Sequence, residues 1–118
     1  AGVMRASAEG AKSRGGTTIG VLPTASKNDA NEFIDIPIAT NLADARNLIN
    51  VLSSDVVVAC PGSAGTLSEV ALALKNDKHV LLLRLDVGGA FEHYRNQGKL
   101  LNVSTAQECV EKIDRLLI

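Results

Sequence analysis

Apolar residues recur along this chain in two alternating rhythms, short β-branched runs and helix-spaced stripes. Val3 to Ser13 is Ala-rich with Glu, Lys and Arg interspersed. Its composition predicts a helix that Arg14-Gly15-Gly16 ends. Thr17–Leu22 is β-branched and closed by Pro23, which predicts a strand. Thr24 to Glu32 is polar and predicts a loop. Phe33–Ile38 alternates apolar and polar positions, and Pro37 cannot donate to a ladder, so it is an edge strand at most. Thr40 or Asn41 is placed to cap a helix with Leu42, Ala45, Leu48, Ile49 and Leu52 at helical spacing. Asp55–Cys60 is an unbroken apolar run, the pattern of a strand buried on both faces of a parallel sheet.

The same alternation continues to the end of the chain. Thr66 to Lys75 repeats Leu67, Val70, Ala71 and Leu74 as a second amphipathic helix. His79–Leu85 is another buried strand, interrupted by Arg84. A Gly-rich loop, Asp86–Ala90, leads to a short helix over Phe91–Asn96. Leu100–Val103 is the last strand. Thr105 opens the last helix through a capping box with Glu108, and Ala106, Cys109, Val110, Ile113, Leu116 and Leu117 face the core. Strands alternating with helices build βαβ units, hence a parallel sheet covered on both sides. The reading is one α/β domain of Rossmann-like type over residues 1–118.

Composition narrows the function classes. The 118 residues are 46% hydrophobic and 21% charged, ordinary for a globular chain. Phe33, Phe91 and Tyr94 are the only aromatic residues, so the core rests on Val, Ile, Leu and Ala. Twelve basic against thirteen acidic residues argue against duplex nucleic acid as the main partner, and three rings argue against binding single strands by stacking. No run approaches the roughly 18 apolar residues of a membrane span, and no charged-then-apolar leader opens the chain. Cys60 and Cys109 lie far apart without a C-x-x-C pattern, which fits reduced thiols in a cytoplasmic protein. His79 and His93 have no partner at metal-ligand spacing, so no metal ion is expected.

The chemistry concentrates in Pro61-Gly62-Ser63-Ala64-Gly65-Thr66-Leu67-Ser68-Glu69. This stretch follows an apolar strand and opens a helix, the place where open α/β sheets bind ligands. Gly62 and Gly65 let the backbone approach an anion, the first-turn amides and helix dipole attract it, and Ser63 and Thr66 add hydroxyls. No Lys follows the second glycine, so this is not a Walker A loop. Glu69 has two readings: a T-x-x-E capping box with Thr66, or a carboxylate at the rim of the anion site. Arg46 also has two, a surface arginine lying along its helix or a guanidinium reaching a phosphate or carboxylate. The Asp86–Ala90 loop either closes over a ligand or is a flexible connection.

Several of these segments occur in one familiar order. Gly2-Val3-Met4 opens a helix and is followed by Gly16–Pro23, Ile34–Ile38, Ala45-Arg46-Asn47, Pro61–Glu69 and Ala71–Lys75. Together they resemble the molybdenum-cofactor carrier proteins and their bacterial relatives, a branch of the lonely-guy superfamily. The resemblance implies a Rossmann-like fold in a dimer or higher homo-oligomer. It also implies that Gly2, Pro61, Gly62, Ser63, Ala64, Gly65 and Thr66 bind the molybdenum cofactor or a nucleotide. Lonely-guy enzymes are phosphoribohydrolases that cleave the N-glycosidic bond of cytokinin nucleotides. Their P-G-G-x-G-T-x-x-E motif falls on Pro61–Glu69, and their catalytic Arg and Glu fall on Arg46 and Glu69.

This sequence departs from that family in two ways. Ser63 replaces the motif's second glycine and adds a Cβ where backbone and phosphate meet. The family's first two strands and first helix have no counterpart, so the chain reads as the C-terminal part of a longer domain. An isolated chain lacking the middle of its sheet is expected to fold poorly and lack activity.

Two functions follow from different classes: a carrier that binds a phosphate-bearing small molecule, and a nucleoside 5'-monophosphate phosphoribohydrolase. In the second, Glu69 stabilises an oxocarbenium-like state. A pyridoxal-dependent lysine decarboxylase, a label sometimes attached to this superfamily, is disfavoured. Lys12, Lys27, Lys75, Lys78, Lys99 and Lys112 lie mostly at element ends or on solvent faces.

Overall fold

A computed structural model describes residues 2–118 of the chain. The fold is α/β and Rossmann-like, with parallel strands that in the second unit are joined through helices. The residues form two compact units, one running to Ile49 and one from Asn50 to Ile118.

In the first unit, helix α1 (Gly2–Ser13) precedes strands β1 (Ile19–Leu22) and β2 (Ile36–Ala39). Glycine stops α1. Gly15 takes φ +76°, and the amides of Gly15 and Gly16 bond Lys12 O and Ala11 O at 3.1 and 2.8 Å. That is a Schellman closure, which favours glycine at its left-handed position. β1 and β2 pair in parallel with Pro37 opposite Gly20. Among the described residues β2 pairs only with β1, so the missing N–H of Pro37 is tolerated there. The start of the pair is fastened by Thr18 and Asp35. The Thr18 amide donates to Asp35 Oδ2 at 2.9 Å, the Asp35 amide donates to Thr18 Oγ1 at 2.9 Å, and Lys12 Nζ reaches the same carboxylate at 3.0 Å.

The helix expected after Thr40 begins later. A 3-10 turn over Ala43–Ala45 precedes α2 (Arg46–Leu52), and neither Thr40 nor Asn41 caps it. The reason is backbone geometry: Asn41 and Ala43 take φ +53° and +49°, which interrupts any helix there. The stripe expected to be buried is largely solvent-facing, since Leu42, Leu48 and Leu52 are exposed while Val51 is buried.

In the second unit β3 (Val56–Ala59), β4 (His79–Leu83) and β5 (Leu100–Val103) form a parallel sheet in the order β3-β4-β5. Helix α3 (Ala64–Lys75) links the first two, α4 (Glu92–Asn96) links the second and third, and α5 (Ala106–Leu116) closes the chain. One core gathers Val70, Ala73 and Leu74 of α3 with Ala59, Val80, Leu82, Leu100 and Val51. A second, on the other sheet face, sets Cys109 of α5 against Leu81 and Val103. Helices therefore cover both faces of this sheet.

Burial corrects three expectations. The strand read as buried on both faces, β3, stands at an edge of its sheet with Val58 39% exposed. The central strand is β4, where Val80, Leu81 and Leu82 are 0% exposed. On α3, Leu67 and Ala71 face solvent and Ala73 takes the core position beside Val70 and Leu74. On α5, Ala106, Val110 and Leu117 are exposed, leaving Cys109, Ile113 and Leu116 to pack on the sheet. Thr105 does cap α5, its hydroxyl accepting from the Glu108 amide at 3.0 Å. Among the described residues no helix is long and apolar enough to cross a membrane.

Candidate functional site

The carboxyl end of β3 runs through Cys60, Pro61 and Gly62 into the N-terminus of α3. Ser63 is the N-cap, extended at φ −99° and ψ −162°, and its side chain makes no capping bond. The first helical bonds run from the amides of Thr66 and Leu67 back to Ser63 O, at 3.1 and 3.4 Å. Among the described residues no protein acceptor takes the amides of Ala64 and Gly65, and both residues are exposed. The first turn of α3 contains no acidic residue, while Lys75 sits in its last turn. The positive end of a twelve-residue helix dipole is thus left to solvent, with free N–H donors at its tip.

The two glycines of this turn differ in role. A Cβ on Gly62 would lie 2.3 Å from Thr66 Oγ1, so the absent side chain makes room for the threonine. A Cβ on Gly65 would meet nothing nearer than Ser63 Oγ at 3.9 Å, so Gly65 leaves open space over the free amides. Pro61, Gly62, Ser63, Ala64, Gly65 and Thr66 therefore form one amide- and hydroxyl-bearing turn. Its donors suit the oxygens of an anionic group. Among the described residues no cluster of three His, Cys, Asp or Glu could hold a metal ion.

Glu69 does not cap this helix as a T-x-x-E box would. The helix starts at Ala64, so Thr66 is already its third residue and Glu69 falls in the second turn. At three residues from Thr66 and four from Gly65, the half-buried Glu69 lies on their side of the helix.

Arg46 and Gly2 belong to the first unit. Gly2 opens α1 with φ +46° and is exposed. Arg46 is more than a surface arginine. Its Nη1 donates to Val21 O at 2.7 Å, and its Nε is buried with no acceptor among the described residues. Sequence reasoning missed what holds it, the Val21 carbonyl, and the turn from Thr40 to Ala45 that leads into Arg46. Thr40 is read there as a helix cap, and no residue pattern announces the left-handed backbone that follows.

Titration is perturbed away from these residues. The Thr18 amide, and then Lys12, hold the Asp35 carboxyl below its ordinary range. Lys99, 2.9 Å away, does the same for Asp77. Burial pushes the Cys109 thiol up, with a smaller contribution from Cys60.

Solved structures match almost the whole chain. The molybdenum cofactor binding protein of the phototrophic bacterium Rippkaea orientalis is 44% identical. It covers 98% of this chain and 72% of its own, with a TM-score of 0.89. The molybdenum cofactor carrier protein of Chlamydomonas reinhardtii is 41% identical over 98% of this chain and 71% of its own, with a TM-score of 0.87. An uncharacterized protein of Archaeoglobus fulgidus is 51% identical over 83 residues, 70% of this chain and 54% of that relative. The chain thus spans about half the length of this curated relative. The SLOG cluster4 family model matches residues 1–110, and with that extent of agreement the chain belongs to the SLOG cluster4 family.

Proposed function

We propose that this chain takes part in binding a phosphate-bearing small molecule of the molybdenum-cofactor kind, as a carrier. The observation that carries the proposal is the start of α3, where the exposed Ala64 and Gly65 amides have no protein acceptor among the described residues and no first-turn carboxylate competes for them. Such a turn offers a phosphate several N–H donors and the favourable end of a dipole without a positively charged side chain. The hydroxyls of Ser63 and Thr66 supplement these donors. Gly65 keeps the approach free of a side chain.

The named relatives support the choice of ligand. Two structures more than 40% identical to this chain are a molybdenum cofactor binding protein and a molybdenum cofactor carrier protein. The residues present fit such a cargo through its phosphate. The turn supplies N–H and O–H donors to phosphate oxygens, and this mode of binding asks for no protein ligand to the metal. Arg46, in the first unit, is proposed separately as an anion-binding side chain, because its buried Nε is a donor in excess of the protein acceptors around it.

The test is equilibrium titration of the protein at its full natural length with molybdenum cofactor freshly released from a molybdoenzyme, followed by fluorescence of the pterin. Saturable binding that inorganic phosphate displaces is the expected result. Absence of binding at micromolar cofactor, or binding that phosphate leaves untouched, defeats the proposal.

A further inference from the structure

The turn between β2 and α2 clasps the carboxyl end of β1 through four successive carbonyls. Val21 O accepts from Arg46 Nη1 at 2.7 Å, and Leu22 O accepts from Thr40 Oγ1 at 2.6 Å and from the Thr40 amide at 3.2 Å. Pro23 O accepts from the Ala43 amide and Thr24 O from the Asn41 amide, each at 3.0 Å. Thr40 Oγ1 is used twice, since it also accepts from the Leu42 amide at 3.2 Å. A valine of the same shape at this position could make neither bond.

This clasp has a conformational cost. Asn41 and Ala43 both stand in the left-handed region, at φ +53° and +49°. Asparagine visits that region with some ease, whereas an alanine does so against steric resistance. Backbone strain of this kind persists only where surrounding bonds over-determine it. Here the bonds lead to one side chain. The 3-10 turn Ala43–Ala45 delivers the chain directly into Arg46, whose guanidinium has Nη1 tied and Nε buried.

We infer that Thr40 is a positioning residue whose hydroxyl, by locking this turn to Leu22 O, fixes the pose of the Arg46 guanidinium. The ligand-directed meaning of that pose rests on the proposed role of Arg46. The positioning itself does not, and it can be read without any ligand.

The experiment is hydrogen exchange of the Arg46 Nε–H, followed by nitrogen-15 NMR on the whole chain as Thr40→Val, Thr40→Ser and the unsubstituted protein. Thr40→Val is expected to speed exchange at Arg46 Nε by about tenfold, the effect of one lost hydrogen bond. Amides of α1 in the same unit, such as that of the buried Ala8, are expected to keep their rates. Thr40→Ser retains the hydroxyl and restores slow exchange. Equal acceleration at Arg46 and Ala8 would mean that Thr40 merely stabilises its unit, and the inference fails. Unchanged exchange in Thr40→Val, or no rescue by serine, also overturns it. Failure of the unsubstituted chain to bind molybdenum cofactor is a separate result, which removes the carrier reading and leaves the exchange comparison to decide the clasp.

Discussion

The hydroxyl of Thr66 occupies the space that any side chain on Gly62 would need. A Cβ at residue 62 would stand 2.3 Å from Thr66 Oγ1 and 3.3 Å from its Cβ. Gly62→Ala therefore forces the threonine or the turn to move, and is expected to cost about 1–3 kcal/mol, as overpacking does. Gly65→Ala has no such clash and replaces a helical glycine, so it is expected to raise stability by about 0.5–1 kcal/mol. Thermal denaturation of the two variants should move in opposite directions. Adding Thr66→Ala to Gly62→Ala should recover part of the loss.

Ser63 is a cap residue that does not cap. An aspartate at this position can reach the first-turn amides and face the helix dipole, contributing about 0.3–1 kcal/mol of stability. It also places a negative charge where the phosphate is proposed to sit. Ser63→Asp is thus expected to raise the melting temperature while lowering affinity for molybdenum cofactor at least tenfold. A stabilised variant that binds as well as the parent would remove the start of α3 as the seat.

Acid should loosen the start of the β1–β2 pair. The folded pKa of Asp35 is depressed, first by the Thr18 amide and then by Lys12. A depressed carboxylate stabilises the fold above its unfolded pKa, about 3.9 for Asp. That contribution fades as pH falls through the lower folded value. The stability gap between the unsubstituted chain and Asp35→Asn should be present at pH 7 and close progressively below about pH 4. Asp77 beside Lys99 follows the same sign, so Asp77→Asn should behave alike. Chemical denaturation across a pH series measures both.

Much of this architecture could be read from residue order, and the misreadings have physical causes. Leu100–Val103 and the Thr105 cap of α5 were legible because both signals are local. The centre of the sheet was not. Val56–Ala59 and His79–Leu83 are both short apolar runs, and only their pairing shows that β4 is central and β3 an edge. The stretch Pro61–Thr66 is legible as a turn into a helix, but Gly62 and Gly65 weaken the helix signal of the residues around Ala64. The sequence therefore places the start of α3 late, and of the two readings open for Glu69 the capping box with Thr66 does not fit a helix that begins at Ala64. The clasp around Arg46 was invisible because it depends on left-handed Asn41 and Ala43, a conformation sequence seldom betrays in alanine.

Glu69 separates the carrier from a hydrolase of nucleoside monophosphates. It is half-buried in the second turn of α3, on the side of Gly65 and Thr66. A carboxylate there could stabilise an oxocarbenium-like sugar only if a nucleotide phosphate sat on the same turn, so binding alone does not distinguish the two functions. Turnover does. Incubation of the protein at its full natural length with AMP is expected to release no free adenine while molybdenum cofactor still binds. Adenine release above the uncatalysed rate that disappears in Glu69→Gln, with AMP binding retained, would reverse the conclusion. The loss in that variant would be of transition-state stabilisation, because the substitution leaves unchanged the amides of Ala64 and Gly65 proposed to hold the phosphate.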